Sequence, residues 1–320
     1  MNSTRRKLLT TVGSFGAAGV AVAAVPSIGV DNTAVAQQPT TSASVVGERF
    51  LEGQVAFVTG AARGIGRAIS VALAQVGADI AAVDILEDIS GHSVPLSTTE
   101  DMSTTQQLVE QLGRRYLAIQ ADIRDLNALR AAVSETEQQL GPINVAIANA
   151  GINSNVGFLS EDESAWQNSW QTITDVNVMG SANTLRAVLP GMAARQSGRV
   201  IITSSTFGRQ GNGMNPAYVT SKWGMVGLTK AAAIEMGSSG VTVNAIAPTA
   251  VRTGLGGPQT QEERAESDEW LQANYHQLPV GLLEPEDVAG SVVFLASPAA
   301  QYISGVTLDV AAGANARYTA

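Results

Sequence analysis

The segment Thr59-Gly60-Ala61-Ala62-Arg63-Gly64-Ile65-Gly66 follows an apolar run at residues 55–58 and leads directly into a helical pattern. Glycine has no side chain, so glycines here allow a tight turn and let an anion approach the backbone N–H groups at the start of the helix. A strand, a glycine-rich turn and a helix in this order are typical of a site for the pyrophosphate of a dinucleotide. We call residues 59–66 the glycine loop. It predicts that the fold begins with a strand, a phosphate-binding turn and a helix.

The strand after this helix ends at Asp84, at about the spacing where dinucleotide-binding domains carry an acidic residue. A carboxylate there accepts hydrogen bonds from the adenosine ribose hydroxyls and repels a 2′-phosphate. Arg63 argues the other way, since a basic residue in the glycine loop could bind that phosphate. Because Asp84 would stand where the phosphate has to go, the sequence predicts NAD as the cofactor. Asp84 as a plain turn residue is the alternative.

Short β-branched runs alternate with helical patterns from residue 54 onward. The runs are nearly continuous in apolar residues, as in strands of a parallel sheet that helices cover on both faces. Predicted strands lie at residues 55–58, 80–83, 116–119, 143–147, 200–202, 241–244 and 306–308. Predicted helices lie at residues 64–75, 128–139, 166–194, 218–236 and 285–296. The alternation predicts an α/β fold, with one doubly wound parallel sheet in a single domain over residues 51–320.

Composition excludes several kinds of chemistry. The chain has 320 residues, a formal net charge of -9, no cysteine and two histidines. That negative charge would repel nucleic acid. Without cysteine there is no disulfide, no thiolate nucleophile and no cysteine-ligated metal, and two histidines argue against a histidine metal centre. We therefore expect no metal, and chemistry from hydroxyl groups, lysine, asparagine and an organic cofactor.

Tyr218 and Lys222 are one helical turn apart on one face of a predicted helix. Hydride transfer from an alcohol needs a base for the hydroxyl proton, and a phenol with a pKa of about 10 is a poor one at neutral pH. The Lys222 ammonium is expected to stabilise the phenolate and lower the pKa of Tyr218. Ser205, at a strand end, would orient the substrate oxygen. Asn177 would bend its own helix and hold a water that links Lys222 to solvent.

These motifs resemble those of the compact branch of the short-chain dehydrogenase/reductase family, over about residues 51–314. The glycine loop matches T-G-x-x-x-G-x-G, residues 149–151 match N-A-G, and Ser205, Tyr218 and Lys222 match S-x-x-G and Y-x-x-x-K. The resemblance implies a Rossmann-type domain in a homotetramer that transfers a hydride between NAD and an alcohol or ketone. Asn177, Ser205, Tyr218 and Lys222 would be catalytic. A non-catalytic NAD-binding sensor or carrier on the same fold is the alternative.

The family pattern also implies a set of cofactor-binding residues, most of which follow a predicted strand or lie at the start of a predicted helix. They are Gly60, Arg63, Gly64, Ile65, Gly66, Asp84, Asp122, Ile123, Asn149, Ala150, Gly151, Tyr218, Lys222, Pro248, Thr249, Val251 and Thr253. Asp122 would contact the adenine, and residues 149–151 would lie beside the cofactor.

An extra stretch, residues 86 to about 106, separates Asp84 from Asp122. This stretch, and Pro248-Thr249 where the family usually has Pro-Gly, are similar to the carveol dehydrogenase-like, mycofactocin-associated subgroup. In that subgroup the longer segment covers the adenosine half and NAD can be held without exchange, which would call for a redox partner or a second substrate. An ordinary surface loop is the alternative.

The substrate cover is expected between residues 253 and 282, after the sixth predicted strand. Glycines there permit movement, and several large apolar side chains are available to line a pocket. They are Trp270, Leu271 and Tyr275, together with Phe207, Met214 and Val251. The composition favours a lipophilic secondary alcohol or ketone as substrate.

The N-terminus carries Arg5-Arg6 before a weakly apolar segment that is uncharged from Leu8 to Val30, and the chain then reaches Ala34-Val35-Ala36. This order is typical of a twin-arginine signal peptide, predicted at residues 1–36, with a Gln/Pro/Thr/Ser-rich linker at 37–50. It predicts export to the periplasm or cell envelope without stable membrane insertion. An uncleaved membrane anchor is the alternative, and a signal that does not function would leave the protein in the cytoplasm.

Overall fold

The computed structural model describes residues 49–256 and 260–317. The predicted signal peptide, and the linker up to residue 48, lie outside the described residues. Within the described part of the chain, no helix combines the length and the apolar character that crossing a bilayer requires.

One sheet of seven parallel strands forms the centre of the domain, in the order β3-β2-β1-β4-β5-β6-β7. The strands are β1 Val55–Thr59, β2 Asp79–Asp84, β3 Tyr116–Gln120, β4 Ile143–Ala148, β5 Gly198–Thr203, β6 Val241–Pro248 and β7 Thr307–Val310. All seven predicted strands are confirmed, each within a few residues of its expected bounds.

Helices cover both faces of this sheet. They are α1 Gly64–Gln75, α2 Thr99–Gln111, α3 Leu126–Gln139, α4 Glu163–Ile173, α5 Ser181–Arg195, α6 Pro216–Met236, α7 Gln261–Asn274 and α8 Pro285–Ala296. The helix predicted over residues 166–194 is interrupted, because a π-helical turn, Thr174–Gly180, separates α4 from α5. The sequence patterns did not predict α2 and α7. Both are largely polar, and both start with a threonine in a capping box, Thr98 with Asp101 and Thr260 with Glu263.

Two apolar cores result from the alternation of side chains along each strand. Phe57 of β1 packs with residues of α3, α5 and α6 on one face of the sheet. Its neighbour Val58 packs with residues of α1 and α8 on the other face. The α/β, doubly wound Rossmann-type fold is therefore confirmed. Strand order reverses between β1 and β4, and in such sheets ligands bind outside the carboxyl ends of the strands at this point.

Gly66 tests how tightly the glycine loop is packed. A Cβ atom added there would lie 1.9 Å from the carbonyl oxygen of Gly60, so Gly66→Ala forces the loop to move. We expect a loss of about 1–3 kcal/mol in the free energy of unfolding, as for other overpacking substitutions. Chemical denaturation of both proteins measures this loss.

Gly290 provides the matched control, because an added Cβ meets nothing within 4 Å in the interior of α8. Gly290→Ala should stabilise the protein by up to about 1 kcal/mol through helix propensity. Equal stabilities of the two variants would contradict the close packing of the glycine loop.

Candidate active site

A cavity of about 680 Å³ opens at the carboxyl ends of the strands. Every residue predicted to bind the cofactor lines this cavity, and so does Ser205. Its wall runs from Asp84 and the extra stretch, past the glycine loop, to Tyr218 and to Trp270 of α7. One continuous space of a size typical for ligand sites therefore joins the predicted nucleotide end to the predicted substrate end.

The glycine loop fits an anion. Gly60 and Gly64 have φ values of +65° and +56°, which favour glycine, and a Cβ at Gly60 would lie 2.8 Å from Cα of Ala150. Arg63, the N-cap residue of α1, makes no side-chain capping bond, and the first turn carries no acidic residue. The N–H groups at the start of α1 are thus left for a ligand, and the partial positive charge of the helix terminus favours an anionic one.

Asp84, the last residue of β2, is buried beside the glycine loop with a relative exposure of 8%. Its Oδ2 accepts a bond from the backbone N–H of Ala62 (2.9 Å), and its Oδ1 accepts bonds from the N–H of Ile85 (2.8 Å) and the hydroxyl of Ser97 (2.5 Å). Asp122 also lines the cavity, but its carboxylate forms a bidentate pair with Arg124.

Tyr218 and Lys222 of α6 are both buried beside the end of β5. The Lys222 Nζ lies 5.4 Å from the centroid of the Tyr218 ring and donates a hydrogen bond to the carbonyl oxygen of Thr203 (2.9 Å). Ser205 follows β5, and its Oγ accepts a bond from the N–H of Phe207 (3.1 Å). The fold thus brings a phenol, an ammonium and a hydroxyl to one place on the cavity wall.

The expected lowering of the Tyr218 pKa by Lys222 was wrong for this structure. Burial raises the pKa of Tyr218 to about 12, because the charged phenolate loses hydration, and a hydrogen bond with Ser205 only partly opposes this. Burial also lowers the pKa of Lys222 to about 8. The ammonium bonds to Thr203, so the helical spacing brings Lys222 close to Tyr218 without directing its proton there.

Asn177 lies in the π-helical turn and is almost fully buried, but it does not line the cavity. Its Oδ1 accepts a bond from the N–H of Ile152 (2.9 Å), and its Nδ2 donates to the carbonyl oxygen of Ile152 and to the hydroxyl of Ser221 (both 3.0 Å). The expected local distortion of its helix is present. The side chain holds the turn after β4 against α6.

The other end of the cavity is mainly apolar. Trp270 and Tyr275 stack with ring centroids 6.2 Å apart. Phe207 and Tyr218 pack edge to face, with ring centroids 6.4 Å apart. Leu271, Met214 and Val251 also line the cavity, as expected. The Tyr275 hydroxyl accepts a hydrogen bond from the side-chain amide of Gln210, which also lines the cavity.

Sequence reasoning missed several polar side chains of the cavity wall, among them Ser97 and Gln210, and also missed His276, which bonds to the wall residue Thr249. Buried His276 bridges the Thr249 hydroxyl (2.9 Å) and the carbonyl oxygen of Val280 (2.9 Å). No sequence motif marks these contacts, because each joins residues from distant parts of the chain or from a loop without regular structure. Among the described residues, no group of three or more His, Cys, Asp or Glu side chains is placed to hold a metal ion.

Comparison with known proteins agrees with this geometry. A family model described as Enoyl-(Acyl carrier protein) reductase matches residues 60–315. The chain is 36% identical to (-)-trans-carveol dehydrogenase of Rhodococcus erythropolis, over 82% of this chain and 98% of that protein.

Two solved structures are also similar. Carveol dehydrogenase from Mycobacterium avium in complex with NAD has a TM-score of 0.77 and 34% identity, covering 84% of this chain and 99% of that chain. A short chain dehydrogenase from Mycobacterium paratuberculosis bound to NAD has a TM-score of 0.75 and 32% identity, covering 83% and 99%. On these matches and the motifs around its cavity, the chain belongs to the short-chain dehydrogenase/reductase family.

Proposed function

We propose that this protein is an NAD-dependent oxidoreductase that interconverts a lipophilic secondary alcohol and its ketone. The observation that carries this proposal is the cavity that joins an anion-binding glycine loop to buried Tyr218 and to an apolar end. Both solved relatives are NAD complexes, and one relative is named as a dehydrogenase of trans-carveol, a lipophilic alcohol. These likenesses support NAD and an apolar substrate.

The cavity walls suit NAD chemically. The uncapped start of α1 provides N–H groups for a pyrophosphate, and Asp84 provides a carboxylate for ribose hydroxyls. Bound NAD supplies the hydride acceptor. The chain's own residues bind it, exclude water from the apolar end of the cavity and move the hydroxyl proton.

Tyr218 would exchange that proton with the substrate oxygen. Ser205, which is hydrogen-bonded to Tyr218, would orient the same oxygen, and Lys222 would supply a positive charge that favours the phenolate. With a pKa raised to about 12, Tyr218 holds its proton at neutral pH and is ready to donate it to a ketone. In the oxidative direction, the positive charge of Lys222 would favour proton loss from Tyr218, and a bound oxidised cofactor would add to that charge.

Turnover of apolar secondary alcohols with NAD tests the reaction. Tyr218→Phe should reduce turnover at least a hundredfold, because proton transfer by a positioned group contributes about 10²–10⁴ in rate, and NADH binding should change little. Tyr302→Phe removes the same hydroxyl from a side chain that is 92% exposed, and should behave like the parent protein. Assays of initial rate and of NADH fluorescence measure both properties.

Two results would contradict this assignment. Retention of most activity by Tyr218→Phe would remove Tyr218 as the acid/base. NADH binding without turnover of any apolar alcohol or ketone would favour a sensor or carrier.

The pH dependence should differ between the two directions. A phenol with a pKa of about 12 is ionised to about one part in 10⁵ at pH 7, and each pH unit raises that fraction tenfold. Alcohol oxidation should therefore accelerate from pH 6 to about pH 8 and level off above it, where Lys222 loses the charge that favours the phenolate, while ketone reduction should be constant at low pH. Above about pH 8 reduction should fall, since Lys222 loses its charge there. Profiles of kcat/KM in both directions measure this; oxidation that slows as pH rises from 6 to about 8 would contradict the role of Tyr218.

We also propose that the chain is exported by the twin-arginine route with NAD already bound, and that it forms a homotetramer. The paired arginines motivate the export route, the extra stretch next to Asp84 motivates the retained cofactor, and the family resemblance motivates the tetramer. A ligand that binds only the folded state stabilises it, and NAD is available where the chain is made, before export of the folded protein. A redox partner or second substrate would then regenerate the cofactor in place.

Nucleotide content of exported protein tests this proposal. Protein from the periplasm should contain nearly one NAD or NADH per chain after dialysis, measured by mass spectrometry of the released nucleotide. Arg5→Lys with Arg6→Lys should block export and leave the precursor in the cytoplasm. Periplasmic protein that is free of nucleotide and active only with added NAD would contradict trapping, and export of the double variant would contradict the route.

A further inference from the structure

Ser97 lies in the extra stretch, between the end of β2 and the start of α2, and it is buried next to Asp84. Both side chains have a relative exposure of 8%, and both line the nucleotide end of the cavity. The Ser97 Oγ lies 2.5 Å from Oδ1 of Asp84. An ionised carboxylate can only accept hydrogen bonds, so the Ser97 hydroxyl must be the donor.

After these bonds, Asp84 and Ser97 have only acceptor positions left for a ligand. A carboxylate offers about four acceptor positions, and the N–H of Ala62, the N–H of Ile85 and the hydroxyl of Ser97 take three of them. Asp84 therefore keeps about one position for a ligand. Ser97 has given its one proton to Asp84 and keeps two lone pairs. Together the two side chains offer the cavity only acceptors.

We propose that Ser97 contacts the adenosine ribose of NAD jointly with Asp84, and that this acceptor pair makes the site selective for NAD over NADP. Ribose hydroxyls are donors, so the pair can bind them. A 2′-phosphate has only acceptor oxygens and negative charge at neutral pH, and Ser97 has no proton left to give it. This inference rests on the nucleotide binding that the proposed function also needs, and it does not depend on turnover.

The same stretch also forms a hydrogen bond with Arg63, the cation that could bind a 2′-phosphate. The Arg63 Nη2 donates a hydrogen bond to the carbonyl oxygen of Pro95, at 2.7 Å. The guanidinium is therefore directed to the backbone two residues before Ser97. In this arrangement Arg63 holds the stretch in place, which reconciles a basic residue in the glycine loop with selectivity for NAD.

Further contacts fix the position of the stretch. Arg67 of α1 donates to the carbonyl oxygens of Ala62 (2.8 Å) and Asp101 (3.0 Å), and so ties the first turn of α2 to the glycine loop. The N–H of Leu96 donates to Oδ1 of Asp88 (2.8 Å), which fixes the chain immediately before Ser97. Ser97 is thus held at Asp84 from both sides.

Binding of NADH and NADPH to the full-length protein tests the inference by isothermal titration calorimetry. Ser97→Ala should reduce the preference for NADH over NADPH about three- to tenfold, the size of effect expected for one hydrogen bond between neutral groups. Ser93→Ala is the matched control, because Ser93 belongs to the same stretch but is exposed. It should keep the preference of the parent protein. In an Asp84→Asn background, Ser97→Ala should have no further effect on the preference.

Arg63→Ala is a second variant, and it separates the two roles open to this arginine. Held by Pro95, Arg63 makes no phosphate contact, so its removal should leave the preference for NADH unchanged or lower it. An arginine that binds the 2′-phosphate would make the preference rise severalfold in Arg63→Ala.

Three results would overturn the inference: a preference for NADPH in the parent protein, a preference unchanged by Ser97→Ala, or a rise in Arg63→Ala. Nucleotide that copurifies is identified by mass spectrometry before titration, and NADP in that position would also overturn it. Selective NADH binding without any turnover would instead contradict the proposed reaction and leave this inference standing.

Discussion

A continuous path of hydrogen bonds joins the glycine loop to the buried lysine of the candidate active site. The Asn149 Nδ2 donates to the carbonyl oxygen of Gly60 (3.2 Å), and the Thr203 hydroxyl donates to Oδ1 of Asn149 (3.2 Å). The Lys222 ammonium then donates to the carbonyl oxygen of Thr203 (2.9 Å). Three strand ends, those of β1, β4 and β5, are connected by this path. The distance between the anion-binding turn and the ammonium is therefore fixed by the sheet itself.

Burial at the end of this path determines the protonation of the site. Removing Tyr218 and Lys222 from water disfavours the charged form of each, which raises the pKa of the phenol to about 12 and lowers that of the ammonium to about 8. The Tyr218 phenol is thereby kept protonated at neutral pH, and positive charge close to it would favour its ionisation. In the proposed reaction, the charge of Lys222 and that of a bound oxidised cofactor would both favour ionisation of the phenol.

The nucleotide end of the cavity also has its chemical preference set by buried side chains, but there they are hydrogen-bond acceptors. Asp84 and Ser97 form a surface of acceptors, while Arg63, the nearby cation of the glycine loop, is bonded to Pro95. The extra stretch thus contributes a side chain to the site and also holds the glycine loop through α2. A segment that is only a longer connection in sequence becomes part of the cavity wall in the fold.

The sequence predicted the parts of the molecule whose causes are local. Glycines at 60, 64 and 66 mark a turn that excludes side chains, and the apolar strands are readable because both faces of the sheet are buried. Helices α2 and α7 escaped prediction because they are mainly polar and show little apolar periodicity. The contacts of Ser97 with Asp84 and of Lys222 with Thr203 depend on how distant segments meet. Spacing along a helix shows which side chains share a face, but it does not show where an ammonium directs its protons.

Transfer of deuterium tests the central claim, that this cavity carries a hydride from a carbinol carbon to NAD. The substrate is an apolar secondary alcohol labelled with deuterium at the carbinol carbon, and the product NADH is analysed by NMR and mass spectrometry. One deuterium atom should appear on the nicotinamide C4 of each NADH, with the same face labelled in every molecule. NADH without deuterium, or with label on both faces, would contradict direct hydride transfer in a site of fixed geometry.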